Sequence, residues 1–229
     1  MSLRVEALGH TYISPAGEAR KVLDIGDYAL TDGDQILLRG ISGSGKTTFF
    51  NILAGLLHPS QGQVFYDDQS LYALPEAARD RFRARHVGYV FQNHMLLPSL
   101  TALDNVMTPL AFAGTVPSGE RKNRARALIA QLGIEAFAGY RPRALSTGQR
   151  LRVAIARALA NSPSVLLADE PTAALDPAAA GAVMDLLQQS CRDHHSILIV
   201  SSHDPALDGR FERVVDLRGG RLIAREVTP

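Results

Sequence analysis

The sequence is poor in several features that mark common protein classes. Cys191 is its one cysteine among 229 residues, so no internal disulfide can form, and this suits a reducing compartment. The 24 basic and 23 acidic residues leave a formal charge of +1, so we expect no nucleic-acid partner. The first ten residues lack the apolar core of a signal peptide, and apolar runs such as Ile197 to Val200 are too short to span a bilayer. Any role at a membrane is therefore expected to depend on a partner chain.

A glycine-rich stretch carries the strongest local pattern. The residues Gly40 to Thr48 read GISGSGKTT and match G-x-x-x-x-G-K-S/T, between a predicted strand at 35–39 and a predicted helix at 48–55. The glycines let backbone N–H groups point at phosphate oxygens, and the helix start adds partial positive charge. Lys46 can reach the β- and γ-phosphates of a nucleoside triphosphate, and the Thr47 hydroxyl can bind Mg²⁺. The predicted nucleotide ligands are Gly40, Ser42, Gly43, Ser44, Gly45, Lys46, Thr47 and Thr48.

A second pattern ends a predicted buried strand in two acids. The stretch Val165 to Glu170 reads VLLADE, and ligands of open parallel sheets lie at the carboxyl ends of strands. Side chains alternate across a strand, so Asp169 and Glu170 are expected to have different roles. Asp169 suits the metal, directly or through water, and Glu170 suits orienting or deprotonating the attacking water.

Predicted strands dominate both ends of the sequence and predicted helices dominate its middle. Helices are predicted at 101–113, bent or ended at Pro109, at 118–132, and after Ser146. The arginine-rich segment Pro75 to His86 is interpreted as a solvated helix face, and a strand is predicted within 22–30. We therefore predict one domain, 1–229, with a helical subdomain at 93–159 and a core formed by 1–92 and 160–229.

The run Ala144 to Asp176, ALSTGQRLRVAIARALANSPSVLLADEPTAALD, resembles the signature helix, acidic strand and D-loop of ABC transporter ATPases. The resemblance covers essentially the whole sequence. It implies an α/β fold, with a P-loop NTPase core of mainly parallel sheet, an antiparallel β subdomain and an inserted helical subdomain. It also implies that Tyr12 stacks on adenine, that Gln92 ligands Mg²⁺, that Ala173 to Asp176 form the D-loop, and that His203 acts beside Glu170 and Lys46 in catalysis.

The signature peptide, LSTGQ at Leu145 to Gln149, implies a homodimer that closes over two ATP molecules. In this family Ser146, Gly148 and Gln149 contact the ATP held by the opposite subunit, because helix N–H groups form a second anion site. The usual peptide is LSGGQ, so Thr147 is a departure, and Ile41 stands where proline is common. Both departures are interpreted as tolerated.

Residues Tyr89 to Leu110 resemble the lipoprotein-release, macrolide-export and haem-export subgroup. That resemblance implies an integral membrane permease partner, which would hold the chain peripherally at the cytoplasmic face of the inner or cell membrane. The partner is expected to dock near Gln92 to Leu100. One alternative remains open from the sequence, a mechanical signalling ATPase that activates a cell-wall hydrolase through a membrane partner. A soluble ABC ATPase of DNA repair or translation is expected to show long coiled coils or two ATPase halves, and this sequence shows neither. A small-molecule P-loop kinase would need neither LSTGQ nor His203.

Overall fold

The protein folds into two β-sheets with packed helices, and the computed structural model describes residues 1–173 and 175–225. The strands and α-helices are, in chain order, β1 (Leu3–Ile13), β2 (Ala19–Ile25), β3 (Tyr28–Leu30), β4 (Gln35–Arg39), α1 (Lys46–Leu53), β5 (Gln61–Tyr66), β6 (Gln69–Ser70), α2 (Glu76–His86), β7 (Val87–Val90), α3 (Ala102–Ala113), α4 (Arg121–Gln131), α5 (Thr147–Leu159), β8 (Val165–Asp169), α6 (Pro177–His194), β9 (Ile197–Ser201), β10 (Arg213–Arg218) and β11 (Arg221–Arg225). A 3-10 helix at Pro205–Arg210 follows β9.

The larger sheet has six strands in the order β11-β10-β4-β9-β8-β7. All its neighbouring strands run parallel except β10 and β11, which form an antiparallel hairpin. Leu38 of β4 pairs with Ser201 of β9, and Asp169 of β8 pairs with the same serine. The carboxyl ends of β4, β8 and β9 therefore meet at one edge of the sheet, where ligands of such sheets bind.

The second sheet is antiparallel, with the order β2-β1-β5-β6 and β3 paired with β1. The segment 22–30, predicted to contain one strand, holds the end of β2 and all of β3, separated at Gly26 and Asp27. Together the two sheets and the helices give the expected α/β arrangement of a mainly parallel sheet, an antiparallel sheet and a helical layer.

The buried residues form two cores. One core lies among the helices and one face of the six-stranded sheet, where Leu110, Val153 and Leu187 are fully buried. The other core joins the opposite sheet face to α1 and the antiparallel sheet. The helix predicted after Ser146 forms as α5 and has a buried apolar stripe: Leu151, Ala154, Ile155, Ala158 and Leu159. The subdomain division at residues 93 and 159 stays a prediction.

One local prediction holds in part and another was wrong. The helix predicted at 101–113 forms as α3, and Pro109 does not end it, since α3 continues to Ala113 and stops at Gly114, which has φ 65°. Burial of Leu110 and Ala113 outweighs the lost backbone hydrogen bond, and Asn161 donates to the Pro109 carbonyl at 2.9 Å. The solvated interpretation of α2 fails at Arg79, which is buried with its guanidinium over the Tyr72 ring at 5.7 Å.

Within the described residues, none of the helices is both long enough and apolar enough to cross a membrane. The short apolar runs of the sequence are instead the buried strands β8 and β9, in which every residue is buried. Their hydrophobic character is therefore explained by burial on both faces of a parallel sheet.

Candidate nucleotide-binding site

The glycine-rich stretch forms the turn between β4 and α1, as predicted. Gly45 has φ 104°, and a Cβ atom there would lie 2.9 Å from Val22 Cγ1. A Cβ atom on Gly40 would lie 2.9 Å from the Leu217 carbonyl oxygen. Only glycine fits both positions, so the loop closes tightly and presents its backbone at the start of α1.

Lys46 begins α1 and is 8% exposed. Its Nζ atom donates to the Gly40 carbonyl at 2.7 Å and lies 3.4 Å from Glu170 Oε1. The ammonium group is therefore held above the glycine-rich loop and beside a carboxylate. A compact cation in this position can contact phosphate oxygens that enter the loop.

Thr47 and Asp169 meet at the carboxyl end of β8. The Thr47 hydroxyl donates to Asp169 Oδ2 at 2.7 Å, and the Ser201 hydroxyl donates to Oδ1 at 2.5 Å. No group of three or more His, Cys, Asp or Glu side chains gathers for a metal in the described parts of the chain. One hydroxyl and one carboxylate still fit Mg²⁺, because this ion prefers one or two protein oxygens together with phosphate and water.

Glu170 turns away from β8 with φ 48°, and its N–H donates to both the backbone carbonyl and the hydroxyl of Ser201 at 3.1 Å. Its side chain is 9% exposed, whereas that of His203 is 70% exposed. His203 Nδ1 lies 3.0 Å from Glu170 Oε2, opposite the contact of Oε1 with Lys46. The carboxylate is therefore fixed between two nitrogen groups, where it can accept a proton from a bound water.

Gln92 follows β7 on a loop that α5 fixes in place. His94 and Met95 have φ of 58° and 47°, and their carbonyls both accept from Arg157 at 2.6 Å. Burial lowers the pKa of Arg157 to about 10, so its guanidinium stays charged at neutral pH. The segment that directly follows Gln92 is therefore held by α5, the helix that carries the signature peptide.

One cleft of about 750 Å³ brings most of the predicted residues together. Its lining includes residues 41–48 with Tyr12, Gln92, Asp169, Glu170 and His203. Tyr12 is 45% exposed, and its hydroxyl lies 3.3 Å from Thr48 Oγ1. The sequence prediction missed Arg20 and Val22, which also line the cleft. Arg20 pairs with Tyr12 across β1 and β2, and no local pattern marks that pairing.

The signature residues Ser146, Gly148 and Gln149 do not line this cleft. Ser146 caps α5, because its hydroxyl accepts from the Gln149 N–H at 3.2 Å and the Gln149 side chain accepts from the Ser146 N–H at 2.8 Å. The Thr147 hydroxyl accepts a hydrogen bond from Arg150 at 3.0 Å. The side chain that replaces the usual glycine therefore has a hydrogen-bond partner within α5. A second nucleotide contact by these residues requires another subunit.

The predicted D-loop, Ala173 to Asp176, includes Ala174, which lies outside the described residues. Its end forms as expected, because the Asp176 side chain accepts from the N–H groups of Ala178 and Ala179 at 3.1 and 3.0 Å. Asp176 therefore caps α6, with Pro177 at the first helical position.

Residues 23–173 match the ABC transporter family model, and the chain belongs to the ABC transporter family. It is 43% identical to the lipoprotein-releasing system ATP-binding protein LolD of Chromohalobacter salexigens over 88% of this chain and 84% of that protein. It is also 40% identical to the macrolide export ATP-binding/permease protein MacB of Rhodopseudomonas palustris, over 93% of this chain and 33% of that protein. The subgroup resemblance is confirmed.

A solved structure of an ATP-binding cassette, dimeric and bound to ADP and phosphate after hydrolysis, superposes with a TM-score of 0.91 and 34% identity. The match covers 99% of both chains. The expected fold class, a P-loop NTPase core with antiparallel and helical parts, is therefore confirmed.

Proposed function

We propose that this chain is the ATP-hydrolysing subunit of an ABC transporter that exports or extracts its cargo. The observation that carries this proposal is the placement of Glu170 between Lys46 and His203, in the cleft that also holds Thr47 and Asp169. The similarity to lipoprotein-releasing and macrolide-export proteins supports the transporter class. The signalling alternative is not favoured, because these relatives are named for release and export.

The residues of the cleft have separate roles in ATP binding and hydrolysis. The glycine-rich loop and Lys46 bind the β- and γ-phosphates and compensate their charge. Thr47, Asp169 and Gln92 would hold Mg²⁺, which neutralises charge on the phosphates when bound. Glu170 accepts the proton of the attacking water, and His203 holds the water and the γ-phosphate in line. Tyr12 offers its exposed ring to the adenine base.

Two copies of the chain would form the working unit. Ser146, Gly148 and Gln149 lie outside the cleft of their own subunit, and the matching cassette structure is a dimer. The N-terminal N–H groups of α5 would then face the phosphates held by the other copy. The membrane permease would hold this homodimer at the cytoplasmic face of the membrane, which makes the chain a peripheral subunit.

Hydrolysis by the purified chain tests this function directly. We expect ATP to be cleaved to ADP and phosphate in the presence of Mg²⁺, and activity to disappear when EDTA removes the ion. Phosphate release measured with and without EDTA gives the result. A chain that binds ATP with Mg²⁺ but transfers the γ-phosphate to a small molecule would contradict the proposal and favour a P-loop kinase.

The permease is expected to dock in a groove between α2, α3, α5 and β7, which we call the docking groove. Its volume is about 480 Å³, and its apolar lining includes Leu56, Tyr89, Phe91, Pro109 and Phe112. Phe112 is 73% exposed and Leu56 45% exposed, and both lie on the same groove, as exposed apolar side chains do at interaction sites. Phe91 lines this groove and its neighbour Gln92 lines the nucleotide cleft, so a partner helix here would sense the nucleotide site.

The loop from Gln92 to Leu100 contributes exposed apolar side chains to the proposed docking surface. Met95 is 61% and Leu97 44% exposed, whereas Leu96 packs against the helical core. Local packing therefore accounts for Leu96 but leaves Met95 and Leu97 exposed. Exposed apolar residues on a strained loop beside Gln92 suit contact with an amphipathic helix.

Cysteine crosslinking tests the docking position. We expect single cysteines at Met95, Leu97 and Phe112 to crosslink to a cysteine in a cytoplasmic helix of the permease. The native Cys191 gives little background, because burial raises its thiol pKa to about 12. A cysteine at Ile13, which is 74% exposed on the antiparallel sheet, is the matched control. Equal crosslinking at Ile13, or none at the three test positions in an assembled complex, would contradict this docking site.

A further inference from the structure

Arg39 is the last residue of β4 and directly precedes the glycine-rich loop. Its side chain is 15% exposed and lies outside the nucleotide cleft, on an adjoining cavity that shares Ile41 to Ser44 and His203 with it. One guanidinium nitrogen, Nη1, pairs with Asp208 Oδ1. The other, Nη2, donates to the backbone carbonyl of His203 at 3.0 Å. A single side chain therefore ties the strand before the phosphate loop to both ends of the segment 203–208.

Asp208 lies in the 3-10 helix Pro205–Arg210 and receives a second guanidinium. Arg225 of β11 donates to its other carboxylate oxygen at 3.0 Å. Leu207 anchors the same turn, since it is only 4% exposed. The segment after His203 is therefore fixed by one apolar contact and by a carboxylate shared between two arginines.

The His203 ring has little packing of its own to hold it in place. Its side chain is 70% exposed, yet Nδ1 reaches Glu170 Oε2 at 3.0 Å. Such a ring keeps its direction only if its backbone is fixed. Ser202 N–H donates to the Leu38 carbonyl at 3.2 Å on one side of His203. Arg39 holds the His203 carbonyl itself on the other side.

We propose that Arg39 is a positioning residue, which fixes the backbone of His203 so that the ring meets Glu170. The expected effect of this contact on catalysis rests on the proposed function. The contact between Arg39 and the His203 carbonyl is observed independently of that function. A guanidinium suits the task because its planar fork donates in two directions at once, to a carbonyl and to a carboxylate. A lysine offers one point charge and cannot span both acceptors in the same way.

The test compares Arg39→Met with Arg39→Lys and with a matched control, Arg218→Met. Methionine keeps the aliphatic stem of arginine and removes both contacts of the guanidinium. Arg218 is an exposed arginine on the neighbouring strand β10, and its pairing with Asp216 does not involve the 203–208 segment. Hydrogen exchange followed by mass spectrometry measures the backbone exchange rate of residues 202–211. ATPase kinetics measure kcat and KM separately.

We expect Arg39→Met to speed exchange in 202–211 by about tenfold, with β4 and β9 unchanged. We expect kcat to fall by about tenfold while KM for ATP stays within about twofold, since the Arg39 guanidinium is already engaged by Asp208 and the His203 carbonyl. Arg39→Lys should recover at most part of both effects, and Arg218→Met should match the wild type. A global loss of stability would instead raise exchange across the sheet and lower the thermal midpoint.

Unchanged exchange of 202–211 in Arg39→Met would overturn the proposal, as would an equal fall in kcat in Arg218→Met. If Arg39→Met fails to fold, Arg39→Lys decides, because faster exchange confined to 202–211 supports the proposal and wild-type exchange refutes it. A wild-type chain without ATPase activity would refute the proposed function instead. The exchange measurement would then still show whether Arg39 holds the His203 segment.

Discussion

Glu170→Gln is expected to leave ATP binding intact and to slow hydrolysis by at least about a hundredfold, which corresponds to ~2.7 kcal/mol in the barrier. Glutamine keeps the shape of the side chain and can still contact His203. Its amide cannot accept the proton of the attacking water. The loss should therefore fall on kcat and leave the Kd for ATP nearly unchanged.

Single-turnover hydrolysis and calorimetric binding of ATP measure these two quantities. Light scattering of Glu170→Gln with ATP and Mg²⁺ should also show dimers that the nucleotide-free protein lacks, because uncleaved ATP would keep the two subunits closed. Glu135→Gln is the matched control, since Glu135 is an exposed glutamate of the helical region. Wild-type turnover in Glu170→Gln would refute the assigned role of Glu170.

Lys46→Ala is expected to weaken ATP binding itself, by about 10- to 100-fold in Kd. Loss of one hydrogen bond to a charged group costs about 1.5–3 kcal/mol, and the lysine contacts the phosphates in both the bound and the reacting state. The change also leaves the largely buried Glu170 carboxylate without its neighbouring cation at 3.4 Å. Some loss of stability should therefore accompany the loss of affinity.

Calorimetric titration with ATP and Mg²⁺ measures this loss, and the thermal midpoint of each protein shows whether the variant is folded. Lys122→Ala is the control, because Lys122 is an exposed cation on α4. An ATP affinity equal to that of the wild type in folded Lys46→Ala would contradict the assignment of Lys46 to the phosphates.

The residues nearest the phosphates could be predicted because each belongs to a short pattern with a local cause. The glycine-rich loop depends on backbone conformations that only glycine adopts easily, and Gly45 at φ 104° is such a position. The buried strand that ends at Asp169 is recognisable in the sequence as an unbroken apolar run. Helix starts at Ser146 and Asp176 also follow from side chains that cap nearby N–H groups.

Other features depend on packing between distant segments, which a local pattern does not record. Pro109 allowed either a bend or an end of the helix, and burial of α3 against its neighbours carried the helix four residues further. The sequence predicted that Arg79 lies on a solvated helix face, but its guanidinium packs over the Tyr72 ring. In both cases the free energy of tertiary burial exceeded a local preference of a few kcal/mol.

The sequence by itself indicated the family, the phosphate loop and the place of Asp169 and Glu170 at the carboxyl end of a buried strand. Only the tertiary structure decided that Arg20 lies beside Tyr12, that Phe112 stays exposed above an apolar groove, and that Arg39 reaches the carbonyl of His203. The reason is physical. Local patterns report backbone preferences and burial periodicity, whereas contacts between residues 164 positions apart, such as Arg39 and His203, exist only once the strands are paired.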